Sequence, residues 1–134
     1  MGIVQRLLSL PSNPEHIHKL EPFLEDVTSP YMLDRGSYGK ILISLTEAVN
    51  NAILHGNNCH AHKDVSIKCH QNGKTIKFWV TDEGNGFNPA LVPSPTEAVR
   101  LNVEGGRGVF LMRELADNIK FKNNGSTVEL CFNV

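Results

Sequence analysis

Glu47 and Asn51 stand four residues apart in the stretch Tyr38 to Gly56, YGKILISLTEAVNNAILHG. At helical spacing they are neighbours on one face, one turn from each other. A carboxylate can accept a proton from an attacking hydroxyl or water, and an amide oxygen suits a hard cation. The pair therefore fits a general base working beside a cation ligand, although taken alone it also fits an ordinary solvated helix face. Asn is a mediocre helix former, yet Asn50 and Asn51 follow one another inside this pattern. Two further groups could take part in the same chemistry. Asp82 ends a strand-like run and is followed by Gly84-Asn85-Gly86, two glycines that permit a close backbone approach. Gly105-Gly106-Arg107-Gly108 precedes a helical pattern, and a helix N-terminus opened by glycines offers free N–H groups and a positive dipole end to phosphate oxygens.

These groups need elements to hold them. In the Tyr38–Gly56 stretch, Ile41, Leu45, Val49 and Ala52 gather on one side of a helical wheel with Leu42, Ala48 and Ile53 beside them. Lys40, Ser44, Glu47 and Asn51 take the other side, and His55-Gly56 with Asn57-Asn58 signal the helix end. Val65 to His70 and Thr75 to Asp82 alternate apolar and polar residues around Asn72-Gly73, a strong hairpin signal. By parity Asp82 falls on the inward side with Ile76, Phe78 and Val80. A carboxylate there is expensive unless it has a partner, and it either caps the following turn or binds something.

Elsewhere, Ile3 to Leu10 reads as a first strand, and Pro14 to about Val27 as an amphipathic helix that Pro22 should bend or break in two. Val109 to Ala116 reads as a helix. A second hairpin, Ile119–Lys122 and Ser126–Val134, turns at Asn123-Asn124-Gly125, with Ser126, Val128, Leu130, Phe132 and Val134 sharing a face. The long connection Asn88 to Val103, with three prolines, has the length of a lid or binding loop. The order β, helix, long helix, hairpin, loop, helix, hairpin predicts an α+β, two-layer α/β sandwich in which helices lie against a mostly antiparallel sheet. One domain over residues 1–134 suits the length.

Composition narrows the classes. With 13 basic and 14 acidic residues the net charge of −1 leaves no field to hold a phosphate backbone or an anionic membrane, so nucleic acid and membrane are set aside as partners. No apolar run approaches the roughly 20 residues of a membrane span. MGIVQRLLSL lacks a signal-cleavage site, and Arg6 stands where myristoylation requires Ser or Thr. Cys59, Cys69 and Cys131 show no paired spacing and read as reduced thiols of a cytoplasmic protein. His55, His60 and His62 lack the companions of a zinc site. Trp79 has outward parity, which places it under a helix, along an edge or at an interface.

Taken together, the three groups resemble a named family. ILISLTEAVNNAILHGNN is similar to the N-box of the GHKL superfamily, which has the Bergerat fold and includes DNA gyrase, MutL-type repair proteins, heat-shock chaperones and sensor histidine kinases. VTDEGNGF resembles its D-x-G-x-G box, GGRGVFLM its second glycine box, and Gly125-Ser126-Thr127-Val128 its closing element. The small size and the wording E-A-x-x-N-A-x-x-H-G are closest to the anti-sigma-factor serine-protein kinases. Such proteins bind ATP and Mg²⁺, sequester a sigma factor and phosphorylate a Ser or Thr of a small antagonist protein.

The resemblance implies Glu47 as general base, Asn51 as Mg²⁺ ligand and Asp82 as adenine anchor, with Ser126 joining Asp82 at the base. Gly84 and Gly86 belong to the nucleotide pocket, and Gly105, Gly106, Arg107, Gly108 and Val109 to the phosphate loop. Glu104 replaces a first glycine common in the superfamily, and Arg107, between two glycines, either reaches phosphate or points to solvent. Arg100 is a candidate to fold over the γ-phosphate. By the same analogy the first residues and the 14–27 helix form a dimer or partner surface. Alternatives to the kinase are a nucleotide-binding sequestering module without phosphotransfer and a simple ATPase.

Overall fold

In a computed structural model of the chain, which describes residues 4–60, 62–84 and 106–134, the apolar periodicities become five strands and three α-helices. Strand β1 (Val4–Pro11) ends at Pro11, and the Asn13 side chain accepts the Glu15 amide at 3.0 Å to start a 3₁₀ turn over Pro14–Lys19. Helix α1 (Leu20–Thr28) follows directly. The expected helix is thus split in two, and the break falls at Lys19–Leu20 rather than at Pro22. Pro22 occupies the first turn of α1, where its missing N–H has no intrahelical partner to lose.

Helix α2 (Arg35–Asn51) begins earlier than its apolar stripe because Asp34 caps it, accepting the Ser37 amide at 2.7 Å. It continues into one π turn, Ala52–Gly56. Strands β2 (Asp64–Asn72) and β3 (Thr75–Thr81) form the anticipated hairpin, with Asn72 opposite Thr75 so that Gly73 and Lys74 make the turn. Helix α3 (Gly106–Leu115) leads to β4 (Asn118–Lys122) and β5 (Thr127–Asn133), joined by a 3₁₀ turn at Asn123–Gly125.

The sheet runs β1-β2-β3-β5-β4 with every described pairing antiparallel. The last two strands enter in reversed order, so β5 lies at the side of β3 and β4 forms an edge. Inward residues of four strands (Leu10, Ile67, Phe78 and Leu130 among them) are fully buried with Leu24, Ile41, Leu45, Val49 and Ile53 of the helices. This is the two-layer α+β arrangement anticipated from the element order. The buried Gln71 amide adds a polar tie across the layers, donating to the Val27 carbonyl at the end of α1.

Two placements differ from expectation. Ser44, read as part of the polar side of α2, is fully buried and returns its hydroxyl to the Lys40 carbonyl at 2.8 Å. Helix α3 packs on α2, so α2 is covered over more of its circumference than one apolar stripe implies. Trp79 lies neither under a helix nor along an edge. It sits on the outer face of the central strand β3, its N–H donating to Glu129 Oε1 at 2.8 Å and the Lys68 ammonium 4.9 Å from the ring centre. Among the described residues no helix is long and apolar enough to cross a membrane. Cys69 is fully buried, and burial pushes its thiol up to about 12, which leaves it an inert core residue.

Phe78 tests this core most directly, since it is fully buried and meets Phe132 edge-on at 6.1 Å. Truncation to Ala removes a large apolar surface and leaves a cavity, so Phe78→Ala should cost about 3–5 kcal/mol in denaturant unfolding. A loss below about 1 kcal/mol would mean that this strand does not face the helices.

Candidate functional site

The site is assembled where the end of α2 meets the loop after β3. Strand pairing brings Asp82 opposite the start of β5, where its N–H donates to the Ser126 carbonyl at 2.9 Å. Its Oδ1 accepts the Gly84 amide at 2.8 Å, so Asp82 does cap the following turn. Only one carboxylate oxygen is committed in that bond. The carboxyl group is pressed against the α2 terminus: a Cβ placed on Gly56 would lie 2.2 Å from Asp82 Oδ2. Likewise a Cβ on Gly84 would lie 1.9 Å from the Gly56 carbonyl oxygen. Any side chain at either glycine would drive helix and loop apart, because real Cβ contacts do not come this close. The strand-end carboxylate and the helix end can meet only because both contact residues are glycine.

The π turn prepares this contact. Its wide i→i+5 closure, the Asn57 amide donating to the Ala52 carbonyl at 2.8 Å, adds one residue to the final turn and carries Gly56 and Asn57 toward the strand ends. Asn57 is fully buried. Its Oδ1 accepts the Glu83 amide at 2.7 Å, and its Nδ2 donates to Ser12 Oγ at 2.8 Å and to the Asp64 carbonyl at 3.1 Å. The Glu83 carboxylate in turn accepts the Asp64 amide, pinning the loop from its outer side.

Burial dominates the electrostatics of Asp82 and pushes its carboxyl above the usual carboxylate range, opposed by the Gly84 amide and the positive charge of Lys63. A half-buried carboxylate with one oxygen that accepts no hydrogen bond among the described residues is a strong acceptor for an N–H. Glu47 and Asn51 are also half-buried on α2. Nine residues separate Glu47 from Gly56, roughly 13 Å along a helix axis. Glu47 and the Asp82 end of the site are therefore separated on the scale of a nucleoside triphosphate rather than of a single phosphate group.

Gly106, Arg107, Gly108 and Val109 form the first turn of α3. The Val109 side chain is buried in the core, and its backbone N–H falls within the first intrahelical bond of α3, so Val109 has neither group free for a ligand. Gly86, Gly105, Glu104 and the Asn88–Val103 connection with Arg100 lie outside the described residues. Ser126 meets Asp82 by its carbonyl, not its hydroxyl. The strand begins at Thr127, and the Ser126 hydroxyl donates to the Asn123 carbonyl at 2.9 Å within the tight 3₁₀ turn. The neighbouring Thr127 hydroxyl pairs with Thr81 at 3.0 Å on the opposite face of the sheet. Among the described residues no group of three His, Cys, Asp or Glu could hold a metal.

The two-layer fold and the glycine contacts around Asp82 fit an ATPase domain of the histidine kinase-like type. The family described as "Histidine kinase-like ATPase domain" matches residues 10–132, and the chain belongs to it. It is similar to curated proteins named serine-protein kinase RsbW. That of Bacillus subtilis is 28% identical over 130 residues, covering 92% of this chain and 81% of the relative. That of Bacillus velezensis has the same identity and coverage. The Oceanobacillus iheyensis protein is 25% identical over 122 residues, or 87% and 77% of the two chains. Among solved structures, the RsbU and RsbW domains of Rv1364c from Mycobacterium tuberculosis share the fold with a TM-score of 0.59 at 14% identity. That similarity covers 97% of this chain and 32% of the other.

The sequence places Gly56 and Asn57 within the stretch that resembles the N-box and at a helix end, and assigns neither a contact with Asp82 or its loop. The usable signals are the H-G that closes the E-A-x-x-N-A-x-x-H-G wording and their place immediately after the Glu47–Asn51 helix.

Since burial raises its pKa, Asp82 holds its proton more tightly in the folded than in the unfolded protein. Its contribution to stability is therefore complete below the ordinary carboxylate range and is lost as the pH rises through the raised value. Without nucleotide, Asp82→Asn should consequently melt above wild type at pH 7, and the gap should close on acidification. Equal melting temperatures at every pH would show that the Asp82 charge is not desolvated.

Proposed function

We propose that this chain is an ATP-dependent serine/threonine-protein kinase that acts as an anti-sigma factor in a partner-switching system, phosphorylating a small antagonist protein. The observation that carries the reading is the Asp82 carboxylate clamped between Gly56 and Gly84 at the end of the helix that bears Glu47 and Asn51. A half-buried carboxylate whose second oxygen has no partner among the described residues suits the exocyclic amine of adenine. The similarity to serine-protein kinases supports transfer to a protein hydroxyl over hydrolysis alone.

In this reading Asp82 holds the base, Gly84 and Gly86 line its pocket, and Ser126 completes the wall opposite Asp82. The first turn of α3, at Gly106 to Val109, receives the phosphates on the free N–H groups of its leading residues, Gly106 to Gly108, with Gly105 and Arg107 in the same loop and Val109 packing the turn from the core side. Asn51 supplies an oxygen to Mg²⁺, whose charge offsets that of the phosphates when it is bound. Glu47 accepts the proton of the attacking serine hydroxyl. The proposal extends to a cytoplasmic protein that pairs with itself and with a sigma factor, and the 14–27 segment is the candidate contact. A carboxylate base beside the cation ligand favours chemistry over a passive nucleotide clamp, which has no need of one.

Incubation with γ-labelled ATP and small candidate antagonist proteins should place label on a Ser or Thr of one of them. Release of free phosphate alone would support a simple ATPase, and binding without turnover a sequestering module. Glu47→Gln should lower transfer by about 10²–10⁴-fold while ATP still binds. Undiminished transfer would remove Glu47 from the role of base.

A further inference from the structure

Asn57 is the most completely buried polar side chain at the site, and none of the assigned roles uses it. Three of the four hydrogen-bonding positions of its amide are filled. Oδ1 faces one donor, the Glu83 N–H, while the two amide hydrogens face the Ser12 hydroxyl and the Asp64 carbonyl. The Ser12 hydroxyl gives its own proton to the Lys63 carbonyl, so toward Asn57 it can only accept. These partners fix which end of the amide is oxygen. One side chain thus joins the end of β1, the start of β2, the π turn of α2 and the loop beyond β3.

The bond to Glu83 bears on chemistry. The Glu83 N–H belongs to the same rigid peptide plane as the Asp82 carbonyl, so holding it fixes the backbone immediately after Asp82. The preceding peptide is held by Ser126, whose carbonyl accepts the Asp82 amide at 2.9 Å. With both flanking peptides fixed and Gly56 against the carboxyl group, Asp82 has little freedom to turn its carboxylate.

We propose that Asn57 is a positioning residue for base selection: by fixing the Asp82–Glu83 peptide it aims the Asp82 carboxylate so that the site prefers a purine with a 6-amino group over one with a 6-keto group. The inference rests on Asp82 as the base anchor. An amine donates to the aimed carboxylate, whereas a keto oxygen meets it acceptor to acceptor, and the mismatch rejects the analogue. A carboxylate free to swing aside loses this discrimination. It binds the amino purine less well and no longer repels the keto purine.

The test compares the affinities of ADP and inosine diphosphate for the full chain by calorimetry. Wild type should prefer ADP by about 10- to 100-fold. Asn57→Ala removes the acceptor for Glu83, and Asn57→Leu, of similar volume, is made in parallel so that a folded variant lacking the bond is read. In either, the ADP preference should fall to within about threefold of unity, mainly through weaker ADP binding. Ser12→Ala breaks the same network at its far end, leaving the Asn57–Glu83 bond in place. It should lower the melting temperature yet keep the wild-type preference. A folded Asn57→Ala or Asn57→Leu with unchanged preference overturns the proposal, as does an equal collapse in Ser12→Ala, which would mean general loosening. If wild type itself binds the two nucleotides alike, the assignment of Asp82 as base anchor fails first and the proposal falls with it.

Discussion

Gly56 lies so close to the Asp82 carboxyl group that a methyl group does not fit between them, and this contact fixes how the helix layer meets the sheet at the site. Its reciprocal, Gly84 against the Gly56 carbonyl, closes the other side. Because α2 is anchored along its length by Ile41, Leu45, Val49 and Ile53 in the core, its end cannot retreat to admit a side chain. The rigid packing of the two layers thereby becomes positional precision at one carboxylate.

That placement carries an electrostatic cost. Burial disfavours the ionised form of Asp82, and the Gly84 amide and Lys63 offset this only in part. A carboxylate held half-dry in the unliganded protein is a group whose desolvation is already partly complete before a ligand's N–H arrives. With its carboxyl pushed above the usual range, the ionised form of Asp82 costs stability at neutral pH. The π turn belongs to the same design. One extra residue in the last turn of α2 directs Gly56 and Asn57 at the strand ends, where a regular α-helix would have carried them past.

Much of this was legible in the sequence because it follows from periodicity. The alternation in Val65–His70 and Thr75–Asp82 predicted both strands and the inward parity of Asp82, and the apolar stripe of α2 identified most of its buried residues. The glycine boxes and the Glu47–Asn51 spacing pointed to the family that residues 10–132 match. What stayed hidden depends on contacts between segments distant in the chain. Ser44 looks polar on a wheel but is buried on a helix that α3 also packs against, and the Ser126 hydroxyl is taken by the Asn123 carbonyl in the turn before the strand begins. Asn57, in a run that reads as a loop, is buried only because Ser12, Asp64 and Glu83 arrive around it from three other segments. No local pattern encodes such a meeting.

The central claim is that the end of α2 and the loop after β3 form one nucleotide pocket. A two-dimensional NMR titration of the labelled protein with ATP and Mg²⁺ tests it residue by residue. The amide signals of Gly56, Asn57, Glu83 and Gly84 should move together with those of Glu47 and Asn51, while Lys68, Trp79 and Glu129 on the outer sheet face stay in place. Shifts confined to the outer face, with Gly56 and Gly84 unmoved at saturation, would contradict the account.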